Sequence, residues 1–233
     1  MKWGSAYGPR DVNTLRAMVG RHLALPHRFV CFTDDGAGLD PSIEVQPMPR
    51  IEVPVERQIS PWRKIGLFTP GLGGLTGRTL FLDLDVVIVG AIDPLVTWTD
   101  KVGIAENWTQ PGAGVGNSSV FTYDIDKYAF VLDTYNATRG TLFDTYPNSQ
   151  TFMSRTLGPE NIDFFPPDWV VSFKHSCMPG GLRSWFETPR LPAGARVVAF
   201  HGNPKPQHAI EGRYPGKWYK HVRRTPWVAE HWR

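Results

Sequence analysis

The stretch Phe81-Leu82-Asp83-Leu84-Asp85-Val86-Val87-Ile88-Val89 decides the fold. With Thr79 and Leu80 before it, it is the most hydrophobic part of the chain, rich in Leu, Val and Ile without polar alternation. Such a run reads as a β-strand covered on both faces, as in an α/β sheet. Two aspartates interrupt it. In extended backbone residues i and i+2 project to one side, so this reading aims Asp83 and Asp85 at a single spot. Two carboxylates at the end of a buried strand repel each other and are costly to desolvate unless a cation lies between them. Few ligands, all oxygen, favour Mn²⁺ or Mg²⁺, with substrate phosphates completing the shell.

Working outward, Val12, Leu15, Val19 and Leu23 recur at helical spacing behind Pro9, which suits a first helical turn. Arg28 to Thr33 is a short β-rich run closed by Asp34-Asp35-Gly36, a strand and then a turn. Ser60-Pro61 starts a helix whose face is Trp62, Ile65 and Phe68. Asp124 is read as the cap of a helix with Tyr128, Val131, Leu132 and Tyr135 inward. Arg196 to Phe200 is a last short strand, followed by His201-Gly202-Asn203-Pro204-Lys205-Pro206. Strands alternating with helices predict an α/β three-layer sandwich around a mostly parallel sheet. Ligands of such sheets sit beyond the carboxyl ends of the strands. That points to Asp34, Asp35, Asp83, Asp85 and His201. A histidine just past a buried strand can add a nitrogen ligand to a metal held by two carboxylates, and Lys205 can reach a diphosphate as a point charge.

The 233 residues are 41% hydrophobic and 12% aromatic, enough for a continuous core, which excludes a disordered or fibrous chain. No apolar run reaches the roughly 18–20 residues of a membrane span, and no secretory signal is visible at Met1-Lys2-Trp3-Gly4. Cys31 and Cys177 fit no disulfide framework, so the expectation is a cytoplasmic protein with reduced, buried thiols. The net charge of +3 does not argue for nucleic acid. From Asn203 onward, however, seven Lys/Arg stand against two carboxylates, interleaved with Trp218, Trp227, Trp232, Tyr214 and Tyr219. Residues 1–206 are therefore read as one domain and 207–233 as a basic aromatic segment suited to a phosphate-rich partner or peripheral membrane contact.

Taken in order, Trp3-Gly4…Tyr7-Gly8, Phe29 to Asp35, Trp62-Arg63-Lys64, Phe81 to Val89 and Phe200 to Pro206 resemble the nucleotide-sugar glycosyltransferases of GT-A type, in particular bacterial members similar to family 8. The resemblance runs over residues 2 to 206. It implies that Asp83 and Asp85 bind Mn²⁺ and the donor's ribose and diphosphate, with His201 as third ligand. Lys205 and Lys64 would neutralise the departing diphosphate, Tyr7 would stack on the nucleobase, and Asp34 or Asp35 would bond its edge. Asn117 matches the segment that shapes the donor-sugar pocket, and Gln150 matches the Gln of an Asp-Gln pair facing sugar and acceptor. It further implies a UDP-sugar donor and a glycan or lipid-linked acceptor.

The sequence departs from that pattern at three places. Ser149 stands where the Asp of the pair is expected, and His201 to Lys205 is shorter than the family spacing. Only Met1 and Lys2 precede the Trp-Gly…Tyr-Gly segment, so the first strand of the fold is expected to be truncated. Two alternatives follow: a degenerate, non-catalytic nucleotide- or sugar-binding relative, and a haloacid-dehalogenase-like phosphatase. Against the second, Val86-Val87 replaces the usual Gly-Thr and no later acidic motif appears. A paired-carboxylate glycoside hydrolase is disfavoured because Asp83 and Asp85 are adjacent rather than across a cleft. Asp163 and Asp168 are read as turn formers, and Trp169, Phe173 and Trp185 as packing residues rather than a sugar platform.

Overall fold

The computed structural model describes residues 1–216 and 218–233; Lys217, counted above in the basic segment, lies outside them. Helix α1 (Pro9–His22) starts as its sequence suggests, with Pro9 in the first turn and the Asp11 carboxylate accepting the Gly8 N–H at 2.8 Å. Its buried face is Val12, Leu15, Met18 and Val19, while Leu23 closes the helix instead of extending the stripe. Strand β1 (Val30–Thr33) follows and pairs in parallel with β2 (Glu44–Pro47).

The run from Thr79 to Val89 is not one strand. It divides into β3 (Arg78–Leu82) and β4 (Val86–Ile88), which belong to different sheets, with a turn between them at Leu84-Asp85. Asp83 N–H donates to Ser119 O at 2.8 Å on the β3 side, and Phe200 N–H donates to Asp85 O at 3.0 Å on the β4 side. The carboxylate pair thus sits on the turn that joins two sheets. Burial of both strands made them look continuous in sequence, and only the backbone partners separate them.

Helix α2 (Asp93–Thr97), β5 (Val102–Glu106) and β6 (Gly116–Asp124) come next. Strand β6 runs antiparallel to β3 and β5, and β5 runs parallel to β7 (Ile162–Phe164), giving the order β3-β6-β5-β7. In the other sheet β9 (Val197–Ala199) lies between β4, antiparallel, and β8 (Val170–Ser172), parallel. The α/β sandwich is therefore built from mixed sheets, with parallel and antiparallel pairs equally represented among the described strands.

Pro61–Phe68 forms a 3₁₀ helix with Trp62, Ile65 and Phe68 buried as expected, but Lys64, Gly66 and Leu67 are buried too, leaving only Pro61 and Arg63 toward the surface. Asp124 ends β6 and caps no helix; α3 (Phe130–Thr145) begins six residues later, with Val131 and Tyr135 buried and Leu132 only partly so. Asn148 caps α4 (Ser149–Leu157) by accepting the Thr151 N–H.

One core cluster joins α1 to β4, β8 and β9; the other gathers Trp62, Phe121, Tyr135 and Phe152 between the 3₁₀ helix, β6, α3 and α4. Full burial of a residue such as Ile88 contributes roughly 2–3 kcal/mol. Helices α5 (Pro206–Glu211) and α6 (Pro226–His231) bring Ala209 and Val228 into the first cluster, and the segment between them adds Val222. Both cysteines are buried and free. No helix among the described residues is long and apolar enough to cross a membrane. Strands β1 and β3 each end their sheets, and a cavity of about 730 Å³ separates them, so the expected inner strand is absent among the described residues.

Candidate active site

The two carboxylates of the turn are each held by a lysine, from opposite sides. Lys64 Nζ donates to Asp83 Oδ2 at 2.7 Å and to Ser118 O at 3.1 Å. Lys205 Nζ reaches Asp85 Oδ2 at 2.5 Å and the Tyr7 hydroxyl at 2.8 Å, and Tyr7 in turn donates to Asp85 Oδ2 at 2.8 Å. The exposures differ in sense. The Lys64 side chain is 9% accessible against 22% for Asp83, whereas Lys205 is 33% accessible against 10% for Asp85. Lys64 therefore backs its carboxylate from inside the protein, and Lys205 covers its carboxylate from outside.

Burial pushes Asp83 above the usual carboxylate range; Lys64 opposes this and the nearby Asp85 adds to it. Burial and the Asp85 charge also push the Tyr7 hydroxyl far up, so it is a donor at any physiological pH. Both effects are those of negative charge crowded into a poorly hydrated turn.

His201 follows Phe200, whose N–H fixes Asp85, so the end of β9 brings the imidazole to the same region. Its Nε2 is hydrogen-bonded to Ser172 Oγ at 2.7 Å, and its ring stacks between Trp108 (5.4 Å) and His175 (5.7 Å). Burial, then the charges of Lys174 and His175, push its pKa down to about 4, with Asp85 acting the other way. The ring is neutral at pH 7. Among the described residues no group of three His, Cys, Asp or Glu side chains is arranged to hold a metal ion, so His201 is near the pair without converging on it.

The remaining predicted residues divide. Gln150, on the first turn of α4, accepts the Ser118 N–H at 3.4 Å, which links it through Ser118 to Lys64 and Asp83. Asn117 is buried and accepts the Ser119 N–H at 3.0 Å, next to the carbonyl that fixes Asp83. A Cβ on the adjacent Gly116 would lie 2.5 Å from Ile104, so that close approach requires glycine. Asp34 and Asp35 are exposed and shape their own loop: Asp34 accepts the Gly4 N–H, and Asp35 accepts the Ala37 N–H as an Asx turn. Ser149 is buried where a carboxylate was expected.

Sequence reasoning missed Ser172, His175 and Trp108. The signal for Ser172 was Val170-Val171 closed by a hydroxyl residue, a strand too short to stand out. Nothing local marks Trp108, whose role depends on a contact across more than ninety residues. Phe173 is core, stacked on Phe200, while Trp169 packs on Trp98 and Arg196, and Trp185 sits at the surface beside His221. Asp163 is tied to Thr99 and Lys101.

No protein-family profile and no curated protein matches the sequence. Solved structures do. LgtC, a galactosyltransferase determined in complex with donor and acceptor sugar analogues, superposes with a TM-score of 0.58 at 13% identity, covering 86% of this chain and 85% of that one. The fold is that of the GT-A glycosyltransferases. The glycosyltransferase GlyE of Streptococcus pneumoniae TIGR4 gives a TM-score of 0.59 at 14% identity over 99% of this chain, which spans 59% of GlyE. At such identities the likeness concerns the GT-A fold, and the chemistry has to be argued from the residues at the turn.

Proposed function

We propose that this chain is a divalent-metal-dependent glycosyltransferase that takes a sugar from a nucleotide-sugar donor of the UDP-sugar class. The observation that carries the reading is the pair Asp83 and Asp85 on one turn, each neutralised by a lysine that a ligand can displace or share. Two mostly buried carboxylates with an imidazole nearby form a donor set suited to Mn²⁺ or Mg²⁺. Asp83 and Asp85 would hold the ion, and His201 would join them by giving up Ser172. When bound, the ion supplies positive charge where the departing diphosphate develops negative charge.

The chain's own residues do the rest. Lys205, the outer cover of Asp85, turns onto the diphosphate oxygens and frees the carboxylate; Lys64 stays behind Asp83 and holds its orientation. Tyr7, under the Lys205 ammonium, offers its half-buried ring to the nucleobase. Asn117 and Gln150 face the donor sugar and acceptor from the β6–α4 side. We assign Asp34 and Asp35 to the base edge only through the loop they shape. The acceptor is a glycan or lipid-linked sugar, in keeping with the sugar analogues bound to LgtC. Exposed Trp218 and Tyr219 beside Lys220 and Arg223 suit peripheral contact with an anionic membrane.

The test is UDP release from UDP-galactose, UDP-glucose and UDP-N-acetylglucosamine with Mn²⁺ or with EDTA. The expected result is Mn²⁺-dependent release from one donor, reduced about a thousandfold in Asp85→Ala. Mn²⁺-dependent nucleotide binding without release would favour the non-catalytic relative, for which the buried Ser149 speaks. Neither binding nor release from folded protein would overturn the reading.

A further inference from the structure

Beside the loop His201-Gly202-Asn203-Pro204-Lys205 lies an open cleft of about 440 Å³. Its walls come from Lys174 and the segment that follows it, and from the chain between α5 and α6. Two of its residues touch the loop. The Tyr214 hydroxyl donates to Asn203 O at 2.9 Å. Lys174 Nζ approaches Gly202 so closely that a Cβ added there would lie 3.2 Å from it, and Gly202 has a φ of +73°, which glycine adopts at little cost. The same loop carries Lys205 onto Asp85, so the cleft adjoins the carboxylate turn.

The cleft is basic and aromatic. Lys174, Lys220 and His221 supply nitrogens, and Trp185, Tyr214 and Tyr219 supply rings. No Asp or Glu stands among its described lining residues. Trp185, read from sequence as a packing residue, is 44% exposed and Tyr219 is 54% exposed, so both keep ring surface open to solvent. The Trp185 ring lies against His221, whose Nε2 is buried without a hydrogen-bond partner among the described residues. A buried polar atom in that state is costly, and a ligand hydroxyl would satisfy it. Lys220 is exposed, and its Nζ stands 5.5 Å from the centroid of the Tyr214 ring, a cation–π contact weak enough to be exchanged for an anion.

Exposed rings stack on the apolar face of a pyranose, and lysines close on a carboxylate or phosphate. A neutral sugar would use the rings and not the lysines; a bare anion would use the lysines and not the rings. A sugar with an acidic substituent uses both. We infer that the cleft is an acceptor subsite for an anionic sugar, one that carries a carboxylate or a phosphate. This rests on the reading of the carboxylate turn as the donor site, because a sugar held beside the loop of His201 and Lys205 then lies where an acceptor is needed. Trp185 and Tyr219 would hold the sugar ring, Lys174 and Lys220 the acidic group, and His221 Nε2 a hydroxyl.

The experiment measures, by saturation-transfer NMR, the binding of methyl β-glucoside, methyl β-glucuronide and methyl β-glucoside 6-phosphate. These share one ring and carry no charge, a carboxylate or a phosphate. The expected result is that an acidic probe binds at least about tenfold more tightly than the neutral one, and the two acidic arms tell carboxylate from phosphate. Lys220→Gln should abolish the preference, and Trp185→Leu should weaken the preferred probe at least about fivefold. Lys205→Gln, at the carboxylate turn, should keep the preference. Equal binding of all three, binding of none by folded protein, or a preference that survives Lys220→Gln or is untouched by Trp185→Leu would overturn the inference. So would its loss in Lys205→Gln, which would put the anion at the turn. Failure of the donor reading shows separately, as no Mn²⁺-dependent stabilisation by UDP in the same samples. Acidic-probe binding in that case would remove the acceptor role and leave an anionic-sugar site.

Discussion

Strand β3 borders both notable regions of this molecule, and they are opposites. At its end the carboxylate turn is densely partnered: Asp83 with Lys64, Asp85 with Lys205 and Tyr7. Along its side the cavity presents mainly apolar walls. The first region is charge-balanced by side chains that can exchange partners, as a site for a charged ligand must be. The second is lined mainly by apolar side chains and gathers no comparable cluster of paired charges.

Within the turn, the two ion pairs can be set against each other. Lys64→Met strands a desolvated carboxylate, and the account predicts a loss of about 3 kcal/mol in urea unfolding without ligand. Lys205→Met removes a pair whose lysine is one-third exposed, and should lose under about 1 kcal/mol. Equal losses would break the inside-outside distinction between the two lysines. Between core and cavity, Ile88→Ala, in a fully enclosed strand, should destabilise by about 3 kcal/mol, whereas Leu80→Ala on the cavity wall should lose about 1. A Leu80→Ala loss as large as that of Ile88→Ala would mean that the cavity is collapsed in solution.

The smallest expected effect is a pH dependence. His201 has a folded pKa of about 4 against an unfolded value near 6.5, so folding binds fewer protons. Its contribution is complete above about pH 6.5 and lost as pH falls through about 4. Because the ring is part-exposed the effect is on the order of 1 kcal/mol. His201→Gln should flatten the stability curve over that window; an unchanged curve would show that the His201 pKa is the same in the folded and unfolded chain.

How much of this was legible in sequence follows the range of the determining contact. The first helix was readable from Pro9 and the spacing of Val12, Leu15 and Val19, because both signals are local. Strands β1 and β9 were readable as short apolar runs ended by polar residues. The division of Thr79 to Val89 was not, because β3 and β4 are equally buried and differ only in having β6 and β9 as partners. Strand β6 was missed because Asn117, Ser118 and Ser119 interrupt any apolar pattern, and they are buried by contacts from distant segments. At the site, the carboxylates and Lys64, Lys205, Tyr7 and His201 were all named from sequence, but which lysine meets which aspartate is fixed only by the turn between the sheets. Ser172 as the partner of His201 was likewise invisible, being twenty-nine residues away.

The most direct test of the central claim is a thermal-shift panel of UDP, GDP, CDP and ADP, each with Mn²⁺ and with EDTA, on wild type and Asp85→Ala. A site at Asp83 and Asp85 predicts stabilisation by one nucleotide, only with Mn²⁺ and absent in the variant. At a hundredfold excess over Kd this amounts to about 2.7 kcal/mol, a rise of several degrees. A folded wild type that no nucleotide stabilises, or a shift that survives Asp85→Ala, would contradict it.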